Sequence, residues 1–221
     1  MQQRAFHFSP TAIYRKEDFL RSDANAQAWE WVMRWPDWPS AALLLSGKEG
    51  TGKTHLAHLW ATQAQAVWID PIRIGEHSSE TLMRTASAAV LDGLEHVQNE
   101  EGLFHLFNHV RSSNGHLLLV SRQPAARMSW QLADVRSRLA ACPHTALQLP
   151  NDSLLQAVLY KLFADRQLRV DEAAIGYLVS RMERSLHAAQ MLVARIDRVA
   201  LEQKRNITIP FLSSLLENND K

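Results

Sequence analysis

The chain has 221 residues, 46% of them hydrophobic and 21% charged, with a formal net charge of +1. That length holds one large domain, or a medium domain with a small appendage, and the composition excludes disordered, collagen-like and repeat architectures. The near-neutral charge excludes a global electrostatic pull toward nucleic acid or anionic membrane, and no apolar segment is long enough to span a bilayer.

Residues 1–13 are polar with interspersed aromatics and no clear period, so they read as an N-terminal extension. Met1-Gln2-Gln3-Arg4-Ala5-Phe6-His7-Phe8 lacks the apolar core of a signal peptide, and the expected location is the cytoplasm. Asn25 to Trp35 carries apolar residues at helical spacing until Pro36 and Pro39 stop the helix. Ala41 to Ser46 is a continuous apolar run that opens into a glycine-rich loop, the pattern of a buried parallel strand. Thr54 to Ala66 reads as the following helix, and Val67-Trp68-Ile69 as a second short strand ended by Asp70-Pro71.

Ala88 to Leu91 and Leu117 to Ser121 are two further strand-like runs. Gly102 to Val110 between them is helical in period, and Asn114-Gly115 marks a turn. The lone cysteine, Cys142, permits no intramolecular disulfide, fits a reducing compartment and reads as a small packed side chain. Thr145 to Leu149 is a fifth run, closed by Pro150. Strands alternating with helices predict an α/β fold with a parallel five-stranded sheet covered on both faces. From Asp152 the pattern is helical, broken at Ile207-Thr208-Ile209-Pro210, with Asp152 and Ser185 as N-caps and Pro210 in a first helical turn. The expected division is an extension over 1–13, an α/β domain over 14–150 and a small all-helical domain over 151–221.

Gly47-Lys48-Glu49-Gly50-Thr51-Gly52-Lys53-Thr54 matches the phosphate-loop pattern G-x-x-x-x-G-K-S/T between an expected strand and an expected helix. Glycines let successive backbone N–H groups turn inward as an anion nest at a helix N-terminus. Lys53 would reach the β- and γ-phosphates, and the Thr54 hydroxyl would ligate Mg²⁺. Asp92, closing the third strand, is the candidate partner that holds the metal, although an aspartate there also serves as a turn residue. Gly93 stands where many such ATPases carry a second carboxylate to polarise water, and Glu95 lies two residues further on. Nucleotide binding is therefore the firmer expectation and hydrolysis the weaker one.

Several segments together resemble the DnaA-type AAA+ proteins and, within them, the short Hda-type regulators. Glu17-Asp18-Phe19-Leu20 with Asn25 resembles the opening nucleotide-binding box, and Gly52-Lys53-Thr54-His55-Leu56 with His58 the phosphate loop and helix start. Val120-Ser121-Arg122-Gln123-Pro124 is similar to the sensor 1 strand end, and Arg136-Ser137-Arg138-Leu139 to the box that supplies an arginine finger. Arg181 to Ala194, then Ile207 to Pro210, resemble the helical lid. The likeness runs from about residue 15 to the C-terminus. It implies ADP or ATP with Mg held by Leu20, Asn25, Gly50, Thr51, Gly52, Lys53, Thr54, His55 and Asp92.

It also implies that Arg138 projects into a neighbour's nucleotide site and stabilises phosphate charge in trans, although spacing alone reads it as a solvated arginine. Arg122 stands at the sensor 1 aspartate of DnaA. His187 stands at the lid arginine that reads the phosphates, or is simply a helix-surface residue. DnaA continues into a helix-turn-helix domain that this sequence does not contain after the lid, so no direct sequence-specific DNA binding is expected.

Gln3-Arg4-Ala5-Phe6-His7-Phe8 has the spacing of peptides that bind the bacterial sliding clamp, a glutamine followed by two hydrophobic anchors. Hda-type proteins carry a clamp-binding segment there, so Gln3, Phe6 and Phe8 are the expected clamp contacts. The expected function is regulation of replication initiation: docking on the DNA polymerase III sliding clamp and stimulating ATP hydrolysis by the DnaA initiator. Two other readings stay open, a self-sufficient P-loop ATPase or small kinase, and an adaptor that its nucleotide merely stabilises. Finger-and-site contacts form in homo- as well as hetero-complexes, so a homo-oligomer stays open.

Overall fold

The computed structural model describes residues 14–217. The clamp-motif residues Gln3, Phe6 and Phe8 therefore lie outside the described residues. A single 3-10 turn, Lys16–Asp18, leads into α1 (Ala26–Met33), β1 (Ala42–Ser46), α2 (Lys53–Ala64), β2 (Val67–Ile69) and the short α3 (Ser79–Leu82). β3 (Ala88–Asp92), α4 (Glu100–Ser112), β4 (His116–Ser121), α5 (Ala133–Ala141) and β5 (His144–Ala146) complete the α/β part. Helices α6 (Asp152–Ala164), α7 (Glu172–Val179), α8 (Leu186–Gln203) and α9 (Ile209–Glu217) follow.

The strands form one parallel sheet in the order β2-β3-β4-β1-β5. Side chains of a strand alternate between faces, so consecutive leucines of β1 enter different cores. Leu44 of β1, Leu91 of β3 and Leu119 of β4 face one layer with Leu103, Leu106 and Val135 of α4 and α5. Leu43 and Leu45, Val90, Leu118 and Val120 face the other, packed on Ala28 and Val32 of α1 and Leu56 and Trp60 of α2. Burial on both faces explains why these strands read as unbroken apolar runs. The helices after Pro150 bury a separate core around Leu159, Phe163, Val193, Ile196 and Phe211.

Three expectations need correction. The fifth strand is His144–Ala146 rather than Thr145 to Leu149. Only Leu44 to Ser46 of β1 remain to pair with it. Beyond it, Leu147 bonds to the Ser46 carbonyl and Gln148 to the Ala24 carbonyl, so the chain leaves the ladder toward the N-terminal segment. Asp152 is not the N-cap of α6: Asn151 is, its Oδ1 accepting from the Leu154 amide at 3.0 Å. The first sheet helix stops at Ala64, because Gln65 takes a left-handed conformation, φ 50°. Ser185 does cap α8, accepting from the Ala188 amide at 3.2 Å, and Pro210 sits in the first turn of α9.

Candidate phosphate site

Gly50 and Gly52 have φ of +72° and +96°. Side chains there would cost roughly 1–2 kcal/mol of backbone strain each, which is why glycine recurs in the loop. Gly50 is restricted a second way, since a Cβ would come within 1.9 Å of Ser185 Oγ. The Leu186 amide donates to the Gly50 carbonyl at 2.7 Å. The start of α8 thus lies directly on the loop.

The loop is braced from within. The Thr51 hydroxyl and the Lys53 ammonium both donate to the Lys48 carbonyl, at 2.9 and 2.8 Å. Lys53 is only 9% exposed. Burial pushes its pKa below the ordinary 10.5, against Asp92, Glu95 and Glu49, which favour the charge, and with Arg122, which disfavours it. A cation desolvated in this way is stabilised by an anion, and phosphate oxygens entering the nest would supply one.

The Thr54 hydroxyl donates to Asp92 Oδ2 at 2.8 Å. This bond joins the start of α2 to the end of β3, which is the pairing the sequence suggested. The two groups offer hard oxygen donors of the kind Mg²⁺ takes when it keeps its waters and phosphate oxygens. Among the described residues no three His, Cys, Asp or Glu side chains cluster as a metal cage, so a metal here would depend on the nucleotide as well.

Gly93 has φ +93° and its amide donates to the Val120 carbonyl at 3.0 Å. A Cβ would meet His96 Cδ2 at 2.9 Å. The backbone therefore favours glycine at 93, and the chain carries no carboxylate at the usual second position. The turn Leu94–His96 that follows swings Glu95 toward the end of β4. Glu95 forms an ion pair with Arg122, Oε1 lying 3.3 Å from Nε, and its Oε2 accepts a hydrogen bond from the Arg122 amide at 3.2 Å. Arg122 also reaches Glu49 of the loop at 3.7 Å. This acid–base chain was invisible in the sequence, because its members are 27 and 73 positions apart from Arg122 and only the sheet order unites them.

The segment before α1 also borders the loop: Phe19 Cε2 lies 3.9 Å from the point a Gly52 Cβ would occupy. Asn25 is buried and bonded at both ends, accepting from the Ser22 amide and donating to the Leu20 carbonyl, each at 2.9 Å. It braces the segment that carries Leu20. His55 Nε2 bonds to the Arg15 carbonyl at 3.0 Å, which requires the proton on that nitrogen. Its ring is 5.2 Å from Tyr14 and edge-on to Phe19 at 5.3 Å. The lid adds Lys161, bridged to Asp18 at 2.7 Å. His187 is exposed in the first turn of α8, one residue beyond the amide that meets Gly50.

Arg138 lies apart from this group. It is half-buried on α5, where NH2 bonds to Asn108 Oδ1 and its guanidinium stands 4.8 Å above the Phe104 ring, both partners on α4. Asn108 and Phe104 went unnoticed in the sequence, since an asparagine and an aromatic in an amphipathic helix carry no signal alone. Cys142 packs against the core, and burial raises its thiol to about 11, so it is no nucleophile near neutral pH.

Residues 152–216 match the family described as Hda, lid domain. An uncharacterized protein of Haemophilus influenzae is 27% identical over 77% of this chain and 79% of its own length. Domain III of the Thermotoga maritima replication initiation protein DnaA superposes with a TM-score of 0.80 at 16% identity, covering 93% of this chain and 96% of that one. Replication initiator DnaA bound to AMPPCP and single-stranded DNA gives 0.70 at 15% identity, covering 87% and 68%. These structural likenesses show a shared fold.

Proposed function

We propose that this chain, an AAA+ protein of the DnaA domain III fold carrying an Hda-type lid, is a nucleotide-retaining regulator of replication initiation. It works in the cytoplasm, keeps ADP or ATP with Mg in the cleft between loop, opening segment and lid, and docks on the sliding clamp through Gln3, Phe6 and Phe8. From there it turns Arg138 toward ATP bound by the DnaA initiator and stimulates hydrolysis in that partner. The observation that carries the reading is the Thr54–Asp92 hydrogen bond beside a buried Lys53, which supports a phosphate and metal site there.

The residues divide the work. Gly50, Thr51 and Gly52 present backbone N–H groups to phosphate oxygens, Lys53 neutralises their charge, and Thr54 with Asp92 would hold Mg²⁺. Bound metal would draw the phosphate oxygens together and offset their negative charge. Leu20, Asn25 and His55 border the base side of the cleft, and His187 the lid side. Arg138 would act on the partner's nucleotide, where a planar guanidinium matches phosphate oxygens.

The test is DnaA–ATP hydrolysis on clamp-loaded DNA. Arg138→Ala is expected to lose most of the stimulation, on the order of 10³-fold if it is a trans finger, while still binding clamp and nucleotide. Gln3→Ala is expected to lose clamp retention in a pull-down. Unchanged DnaA–ATP hydrolysis with Arg138→Ala would leave the adaptor reading.

A further inference from the structure

We infer that Glu95 is the water-polarising carboxylate of this nucleotide site, displaced by two residues and held in reserve by Arg122. The inference rests on the phosphate-site reading above and adds the reason such a site would retain its nucleotide. Position 93 beside Asp92 is a glycine in left-handed backbone and supplies no carboxylate, and the turn it starts returns the chain at Glu95. Glu95 is partly sheltered, its side chain 19% exposed. The Arg122 guanidinium that pairs with it also reaches Glu49 of the phosphate loop at 3.7 Å, so Glu95 stands one residue away from that loop rather than out in solvent.

Both of its oxygens are engaged by one residue. Oε1 meets the guanidinium and Oε2 the backbone amide of Arg122. Arg122 is in turn drawn to Glu49 of the loop. A carboxylate that is ion-paired on one oxygen and hydrogen-bonded on the other is a poor acceptor for a proton from water. Freed of the guanidinium, Glu95 would take a proton from water as the water oxygen bonds to the γ-phosphorus. The bond between that phosphorus and the bridging oxygen breaks, its electrons leaving with ADP, and inorganic phosphate is the second product. Arg122 is thus a positioning residue whose effect on turnover is restraint.

Single-turnover ATP hydrolysis by the full chain tests this, with affinity for ATP and ADP measured in parallel by a fluorescent analogue. Arg122→Ala is expected to hydrolyse ATP about tenfold faster or more, a fraction of the roughly 10²–10⁴-fold that a positioned general base contributes, with its affinity for ATP relative to ADP unchanged. Adding Glu95→Gln should return the rate to that of the wild type. The inference is overturned if Arg122→Ala binds ATP but is no faster, or if the double variant stays fast. A selective loss of ATP over ADP affinity in Arg122→Ala also overturns it, since Arg122 would then be a phosphate contact. If the wild type binds neither nucleotide, the phosphate-site reading falls first and the restraint with it. Stimulation of DnaA through Arg138 is read separately and depends on neither substitution.

Discussion

The phosphate loop and the Arg138 face both present a cation suited to phosphate, and they hold it in opposite ways. Lys53 is buried and bonded to a backbone carbonyl of its own loop. Its geometry is set before a ligand arrives, and an anion entering beside it would offset the desolvation that nearby carboxylates only partly oppose. Arg138 is half-buried and fixed by neutral partners, an amide oxygen and an aromatic face. Neutral partners orient a guanidinium without cancelling its charge. Arg122 supplies the contrast, because two carboxylates neutralise it. The proposed binding and trans roles would thus fall to two separate cations, and Arg122 differs from both in facing carboxylates.

The largest expected effect tests how far the loop depends on the lid. Gly50→Ala puts a methyl where Ser185 Oγ now sits and forces a side chain into φ +72°. Gly52→Ala carries a similar backbone cost at φ +96°, yet its nearest neighbour is Leu186 Cδ1 at 3.4 Å. Both should lose about 1–2 kcal/mol to backbone strain, and Gly50→Ala should lose more by opening the Leu186–Gly50 bond. Thermal melts would show Gly50→Ala falling further, by several degrees beyond Gly52→Ala at roughly 2–4 °C per kcal/mol for a chain of this size. Equal melting temperatures would mean that the lid does not brace the loop.

The loop itself was legible from sequence because its constraint is local: glycines for positive φ, a lysine and a threonine at fixed offsets, strand before and helix after. Asp92 was legible from its place at a strand end. The sheet was legible from its apolar runs, but β5 was misplaced, because Leu147 and Leu149 look like strand residues while the pairing ends at Ala146. The Glu49–Arg122–Glu95 chain, the Ser185–Gly50 contact and the Asn108–Arg138 bond were not legible. Each joins residues that only the crossovers of a parallel sheet, or the fold-back of the lid, bring together.

On the Arg138 face the expected effect is smaller and sharper in meaning. Asn108→Ala removes the hydrogen bond that orients the guanidinium while leaving its charge, a loss of about 1 kcal/mol for a typical bond. Stimulation of DnaA–ATP hydrolysis should fall by roughly five- to tenfold, well short of the Arg138→Ala loss. Phe104→Leu should act in the same direction by removing the ring under the guanidinium. If Asn108→Ala instead raised stimulation, the tether would be a restraint on Arg138 as the carboxylates are on Arg122, and the contrast between the two arginines would collapse.

The smallest effect is a pH dependence on the loop side. Burial lowers the pKa of His55 and of His58 below 6.5, the Arg15 carbonyl opposing the shift at His55 and Asp92 opposing it at His58. His58 stacks on Tyr14 at 4.1 Å and lies tilted against Trp68 at 4.2 Å. Both rings are neutral in the fold at pH 7. As pH falls through 6.5 the unfolded chain takes up protons before the folded one does, so stability declines until the folded pKa values are passed and then levels off. The wild type should therefore melt at a lower temperature at pH 5.5 than at pH 7.5. Replacing His55 and His58 together by Gln should flatten that slope, whatever it does to the melting temperature at pH 7.5. His144, bonded to Ser46 Oγ at 2.7 Å and also lowered by burial, should supply the residual slope. A slope unchanged in the double variant would move the titration away from the wall of the phosphate site, and with it the claim that burial there is what sets these two rings.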